Sequence, residues 1–269
     1  MSRYLNGQDV AEITLLLSEP RLSTYLQITQ SQKPEDAIEL HQATMSLGVA
    51  LMAVAGLIEI GLRNAICEQL TSVLGVNDWL RSPPPSLKWS ALEVLAIQKA
   101  AKQAQRAAYS KMSGVEKVAL DAAAFPHGLP PNIKHRKVAE RRQSTINVSD
   151  GQIVAQLTMH FWKRLFSEDY EKALWKRGLK KVFPNKTMSR ADIAIRLEVI
   201  YETRNRLAHH EPVYGRRLDA ILDAIEFVCQ NLGSVRPSSE NAFSKLVMPQ
   251  KDILMGQVAI FTSTFDRLK

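Results

Sequence analysis

Apolar residues recur at three- and four-residue steps along most of this chain, and strand-like alternation is almost absent. That pattern alone restricts the fold to helices packed on helices. The strongest run starts at Lys33-Pro34-Glu35 and reaches about Leu74, with Leu47, Leu51, Val54, Ile58, Leu62, Ala65 and Gln69 along one face. Shorter helical stretches are expected over 12–17, 22–29, 87–109, 151–166, 170–179, 190–210 and 218–231, separated by breakers such as Ser82-Pro-Pro-Pro85. Residues 242–269 are ambiguous, since 258–265 reads equally as helix or strand. The expectation is an all-α, multi-helix bundle. Its parts are an N-terminal helical portion over 1–110, a long irregular basic connection over 111–150, a second helical portion over 151–235 and an extension over 236–269. These are read as one composite domain.

Residues 43–58 form a charge-free run of 16, short of the roughly 20 apolar residues that span a bilayer and rich in small side chains. A buried bundle helix is the expectation, and no membrane contact. With 45% hydrophobic and 23% charged residues among 269, disorder is excluded as the main state. The two cysteines, Cys67 and Cys229, lie far apart and support neither a disulfide framework nor a cysteine metal site. The first ten residues lack the apolar core of a secretory signal, so a cytoplasmic location is expected. Phosphate-cradling glycine loops, HExxH and serine-nucleophile motifs are all absent from the sequence, and neither metal nor cofactor is expected.

The chemistry concentrates between Leu197 and Pro212. On a helix, Ile193, Leu197, Ile200 and Leu207 make one stripe with Arg204 inside it, and a guanidinium so placed needs an anion, Glu59 or Glu198 being the candidates. Asn205 and His209 are four apart on a neighbouring face. Pro212 biases the residue before it away from the helix, so the helix should end near His210, leaving both histidines at its negative end. An imidazole exchanges protons near neutral pH and a fixed guanidinium steadies phosphoryl charge, which suits phosphate chemistry. Spacing alone is not specific, because an Arg followed five or six positions on by a His arises by chance about once in a chain of this length.

The string Arg204-Asn-Arg-Leu-Ala-His-His-Glu-Pro212 resembles the C-terminal signature of the abortive-infection-like (Abi-like) bacterial proteins of the HEPN superfamily. Leu57-Ile-Glu59-Ile-Gly-Leu-Arg63-Asn64-Ala-Ile66 is similar to that family's earlier Glu and Arg-Asn helix, and Ser18-Glu-Pro-Arg-Leu-Ser-Thr-Tyr25 to its N-terminal segment. Gly151-Gln-Ile-Val-Ala-Gln-Leu-Thr, Phe161-Trp162 and Phe183-Pro-Asn185 are similar to its middle blocks. The resemblance implies a homodimeric HEPN bundle that cleaves RNA without metal at a cleft shared by two protomers. Arg204 would contact the scissile phosphate, His209 or His210 would act as general acid or base, and Asn205 would position the helix end or substrate. Arg63-Asn64 lacks a following His and cannot complete a second site. Glu59 and Arg63 would brace Arg204, or simply pair with each other.

The balance of 35 Lys+Arg against 27 Asp+Glu, a formal charge of +8, is basic but not histone-like, and RNA as a partner has separate support in two basic clusters. Lys99, Lys102 and Arg106 share a helical face, and Lys134, Arg136, Lys137, Arg141 and Arg142 cluster in the expected connection. Phe161, Trp162, Phe166, Tyr170 and Trp175 recur at helical steps and are read as core rather than base-stacking platforms. The resulting expectation is a metal-independent endoribonuclease acting in phage defence or as a toxin-like growth inhibitor, with a neutralising partner a possibility. The rivals are a non-catalytic RNA-binding or scaffolding bundle and a regulatory module that binds a nucleotide or a partner protein.

Overall fold

The computed structural model describes residues 5–31 and 33–269, and their regular structure is entirely helical. In chain order the helices are α1 (Gly7–Leu17), α2 (Glu19–Thr29), α3 (Pro34–Leu74), α4 (Ala91–Ser110), α5 (Gly114–Ala119) and α6 (Asp121–Ala124). They continue with α7 (His135–Ser144), α8 (Asp150–Val154), α9 (Met159–Arg164), α10 (Arg190–Ala208), α11 (Arg216–Asn231) and α12 (Ala242–Leu268). The all-α class read from periodicity is the class observed.

The chain forms two compact units, Met1–Ala65 with Lys181–Lys269, and Ile66–Lys180. This differs from the four-part division expected along the sequence. The first unit is discontinuous, because the chain leaves it inside α3 and re-enters it at residue 181. The connection expected to be irregular over 111–150 instead carries three short helices, α5 to α7. Ser113 starts α5 with a reciprocal capping box to Glu116, and the Arg142 guanidinium holds Asp121 at the head of α6 through two bonds of 2.7 Å. Such short helices leave too few apolar repeats for periodicity to reveal.

In the first unit, Leu47, Leu51, Val54 and Ile58 of α3 are at most 1% exposed and Leu62 is buried too, as the predicted stripe requires, whereas Ala65, expected on the same stripe, is only half-buried. By length and composition alone α3 is also apolar enough to cross a bilayer. Its other flank leaves Val49 and Ile60 exposed. α10 packs against α11, and α11 against α12. The ambiguous C-terminal stretch is thus one 27-residue helix, started by the Asn241 side chain accepting from the Ser244 N–H and continuing past Pro249. Gly61 lets Phe243 approach α3 closely, since a Cβ there would stand 2.3 Å from the ring.

The second unit is built around aromatic rings. Trp89 sits between Trp79, Phe161 and Tyr170 at centroid distances of 6.1, 5.8 and 5.8 Å, and Phe161 meets Trp162 edge-on at 5.0 Å. All five are buried, and so is Phe166; Phe161, Trp162, Phe166 and Tyr170 are therefore core as their spacing suggests, while Trp175, expected with them, is only half-buried. Beneath them Glu93 is buried on α4. It accepts from the Tyr170 hydroxyl at 2.5 Å, from Arg164 Nε at 3.0 Å and from the Ser90 hydroxyl. Burial pushes the Glu93 carboxyl up, but these donors outweigh it and hold the group below its ordinary value. The Tyr170 phenol is pushed up to about 12 by burial and by Glu93.

Candidate functional site

α10 begins at a capping box between Ser189 and Asp192 and buries Ile193, Leu197, Ile200 and Thr203. The buried stripe therefore turns through Thr203 where the sequence placed Arg204. Arg204 lies at its edge, half-buried, and the burial that would have demanded an internal anion is not there.

The C-terminal end of α10 is a Schellman turn with an unusual occupant. His209 caps the helix; the His210 N–H donates to the Leu207 carbonyl and the Glu211 N–H to the Arg206 carbonyl, both at 2.9 Å. This arrangement puts the residue after the cap in the left-handed region, where glycine is usual. Here it is His210, at φ 55°. Holding a Cβ there costs about 1 kcal/mol or more.

Both imidazoles are exposed and line an open cleft of about 320 Å³. Its opposite wall is the start of α2, contributed by Ser18, Pro20, Arg21, Thr24 and Tyr25. Ser18 is also strained, at φ 70°, so two of the four described non-glycine residues with positive φ face this one cleft. Arg21 Nη1 donates to the His210 carbonyl at 3.1 Å, tying α2 to the turn. Tyr25 is only 2% exposed, and its hydroxyl makes no hydrogen bond of good geometry among the described residues, although Thr44 lies close to it. Burial raises the Tyr25 phenol, with Thr44 and the Arg21 charge pulling the other way. On α3, His41 meets the Tyr25 ring edge-on at 5.2 Å. Its imidazole is held below the ordinary 6.5, first by burial and then by the charges of Arg21 and His210.

Two further clefts surround the same helix end. One, of about 280 Å³, is apolar and runs between His210, Leu207 and Ala208 on one side and Met45, Gly48, Val49 and Met52 on the other. Gly48 permits this approach, since a Cβ would stand 3.2 Å from Leu207 Cδ2. The other, of about 440 Å³, is polar and contains Glu202, Thr203, Asn205, Arg206 and Arg217. Arg206 pairs with Glu211 at 2.8 Å, and its Nε is buried without an acceptor among the described residues.

The structure thus brings His209 and His210 together and keeps other expected residues apart from them. Arg204 does not line the histidine cleft, and Asn205 lines the polar cleft with Arg206 and Arg217. Among the described residues neither Arg204 nor Arg63 forms an ion pair with Glu59; Arg63 Nε donates instead to Asn64 at 3.4 Å. Glu59 and Arg63 lie on the half-exposed flank of α3 rather than on its buried stripe, where water suffices for both. Arg21, Tyr25 and His41 went unassigned in the sequence reading. Arg21 and Tyr25 are one helical turn apart, which is a usable signal; nothing in the sequence links His41 to them.

The basic residues belong to the second unit. Lys99, Lys102 and Arg106 are exposed along α4, as are Lys134 at the start of α7 and Lys137 within it. The remaining three have partners within the chain, Arg136 and Arg141 while still exposed: Arg136 pairs with Glu140 at 2.8 Å, Arg141 lies over the Phe125 ring at 5.5 Å, and the part-buried Arg142 pairs with Asp121. The second unit carries 18 Lys+Arg against 10 Asp+Glu and the first 17 against 17, so the net charge of +8 resides entirely on the second. Among the described residues no group of three His, Cys, Asp or Glu is disposed to hold a metal ion. Compared with models of known families, with curated proteins and with solved structures, the chain matches none.

Proposed function

We propose that the protein is a metal-independent endoribonuclease of the Abi-like HEPN type, acting in phage defence or as a toxin-like growth inhibitor, with its chemistry at His209 and His210. The observation that carries this reading is two exposed imidazoles in one open cleft, facing a guanidinium across it. In the reaction, one imidazole takes the proton of a ribose 2′-hydroxyl as its oxygen attacks phosphorus. The P–O5′ bond breaks, and a protonated imidazole returns a proton to the leaving 5′-oxygen. The products are a 2′,3′-cyclic phosphate and a 5′-hydroxyl. The cationic second unit supplies the sequence-independent attraction for RNA. Within one chain Arg204 does not line this cleft, so the homodimer of this reading would have to supply it from a second copy.

The test is incubation of the full chain with total or transfer RNA in chelator, with detection of 2′,3′-cyclic ends. Cleavage unchanged by His209→Ala combined with His210→Ala refutes the assignment of the site.

The separation of Arg204 from the histidine cleft favours a second reading, a non-catalytic RNA-binding bundle in which the Arg21 tie to the α10 turn is structural. Under it RNA binds with strong salt dependence and remains intact.

A further inference from the structure

The α2 wall of the histidine cleft holds more polar capacity than its own structure uses. Arg21 commits one N–H to the His210 carbonyl, leaving further donors of a planar fork suited to phosphate oxygens. Tyr25 keeps a buried hydroxyl that has Thr44 close by but no hydrogen bond of good geometry among the described residues, and a buried hydroxyl so poorly satisfied is a net cost to the free protein. The local balance is cationic: Arg21 faces His209 and His210, with His41 behind Tyr25. The one carboxylate lining the cleft, Glu211, is already paired with Arg206. Strained backbone at Ser18 and His210 brackets the opening, as expected where surrounding structure holds groups ready for a ligand.

We propose that this wall is a phosphodiester-binding subsite, in which the Arg21 guanidinium grips the non-bridging oxygens and the Tyr25 hydroxyl donates a further hydrogen bond, a role the sequence reading gave to Arg204. It rests on the phosphoryl-transfer reading of the same cleft. Arg21 acts on the phosphate directly and steadies the charge that grows on it as the 2′-oxygen attacks. His41 does not line the cleft and serves as a reporter of its occupancy, because an anion beside Arg21 offsets the charges that now disfavour its protonated form.

The experiment follows the histidine imidazole resonances of the full chain by NMR during titration with a dinucleoside monophosphate and, separately, with inorganic phosphate. RNA cleavage is assayed in parallel. The diester should shift His210 saturably and raise the titration midpoint of His41, and should bind more tightly than inorganic phosphate. Arg21→Gln should weaken binding about tenfold or more and Tyr25→Phe about two- to tenfold, the range expected for one hydrogen bond. Tyr25→Phe should change the thermal midpoint little, because in the free protein the hydroxyl it removes makes no hydrogen bond of good geometry among the described residues. Wild-type affinity in a folded Tyr25→Phe, or absence of any saturable shift, overturns the subsite; tighter binding of inorganic phosphate overturns its assignment to a diester. Diester binding without RNA cleavage refutes the nuclease reading and leaves the subsite standing. Cleavage with no diester response at His210 or His41 refutes the subsite alone.

Discussion

Replacing His210 by glycine separates its place in the turn from the role proposed for its imidazole. Glycine fits the left-handed turn at φ 55° without steric penalty, so His210→Gly should raise stability by up to about 1 kcal/mol, measured by denaturant unfolding. Under the nuclease reading it should also lower RNA cleavage at least tenfold. A loss of stability would mean that the imidazole itself holds the turn. This residue was legible in the sequence because Pro212 fixes where α10 must end. Arg204 was misplaced by a single step, since a helical stripe advancing through Ile193, Leu197 and Ile200 continues as readily through residue 203 as 204. The partners across the cleft were not legible. Arg21 and the His210 carbonyl are 189 residues apart, and no local pattern encodes a contact made only when α2 closes on the α10 turn.

Among the elements, α4 shows how a charge is kept in a core. Glu93 has its carboxyl below the ordinary 4.5 because Arg164, Ser90 and Tyr170 together outweigh its burial. A depressed folded value means that the unfolded chain takes up the proton more readily. This contribution is therefore complete above pH 4.5 and is lost as pH falls from there through the lower folded value. Glu93→Gln should cost about 2–3 kcal/mol at neutral pH, by urea unfolding, because it leaves Arg164 facing an uncharged amide. It should also flatten the decline of stability with acid, and an equal acid slope in mutant and wild type would assign that decline to other carboxylates. Long elements were easy to read, α3 above all, because many turns repeat the same stripe. The short helices over 111–150 were not, since α5 starts at a single capping box, α6 is held by the Arg142 fork, and none of the three is long enough to repeat an apolar stripe.

Over the whole molecule, the charge balance was visible from composition, but its partition was not, because the first unit is assembled from both ends of the chain. If the second unit captures RNA, exchanging Lys99, Lys102 and Arg106 together for glutamine should reduce the steepness of affinity against salt by up to about 2 in the log–log slope. Fluorescence anisotropy with a single-stranded RNA measures it, and an unchanged slope would place the RNA elsewhere. The two places where the chain passes between units bear on any attempt to divide it. One lies inside α3, between residues 65 and 66, and the other inside the short 3₁₀ turn Leu179–Val182. Domains are ordinarily joined by open tethers that a protease or a cloning primer can exploit. Here each cut would expose raw helical backbone, so the parts played by the two units are better separated by point substitutions in the intact polypeptide.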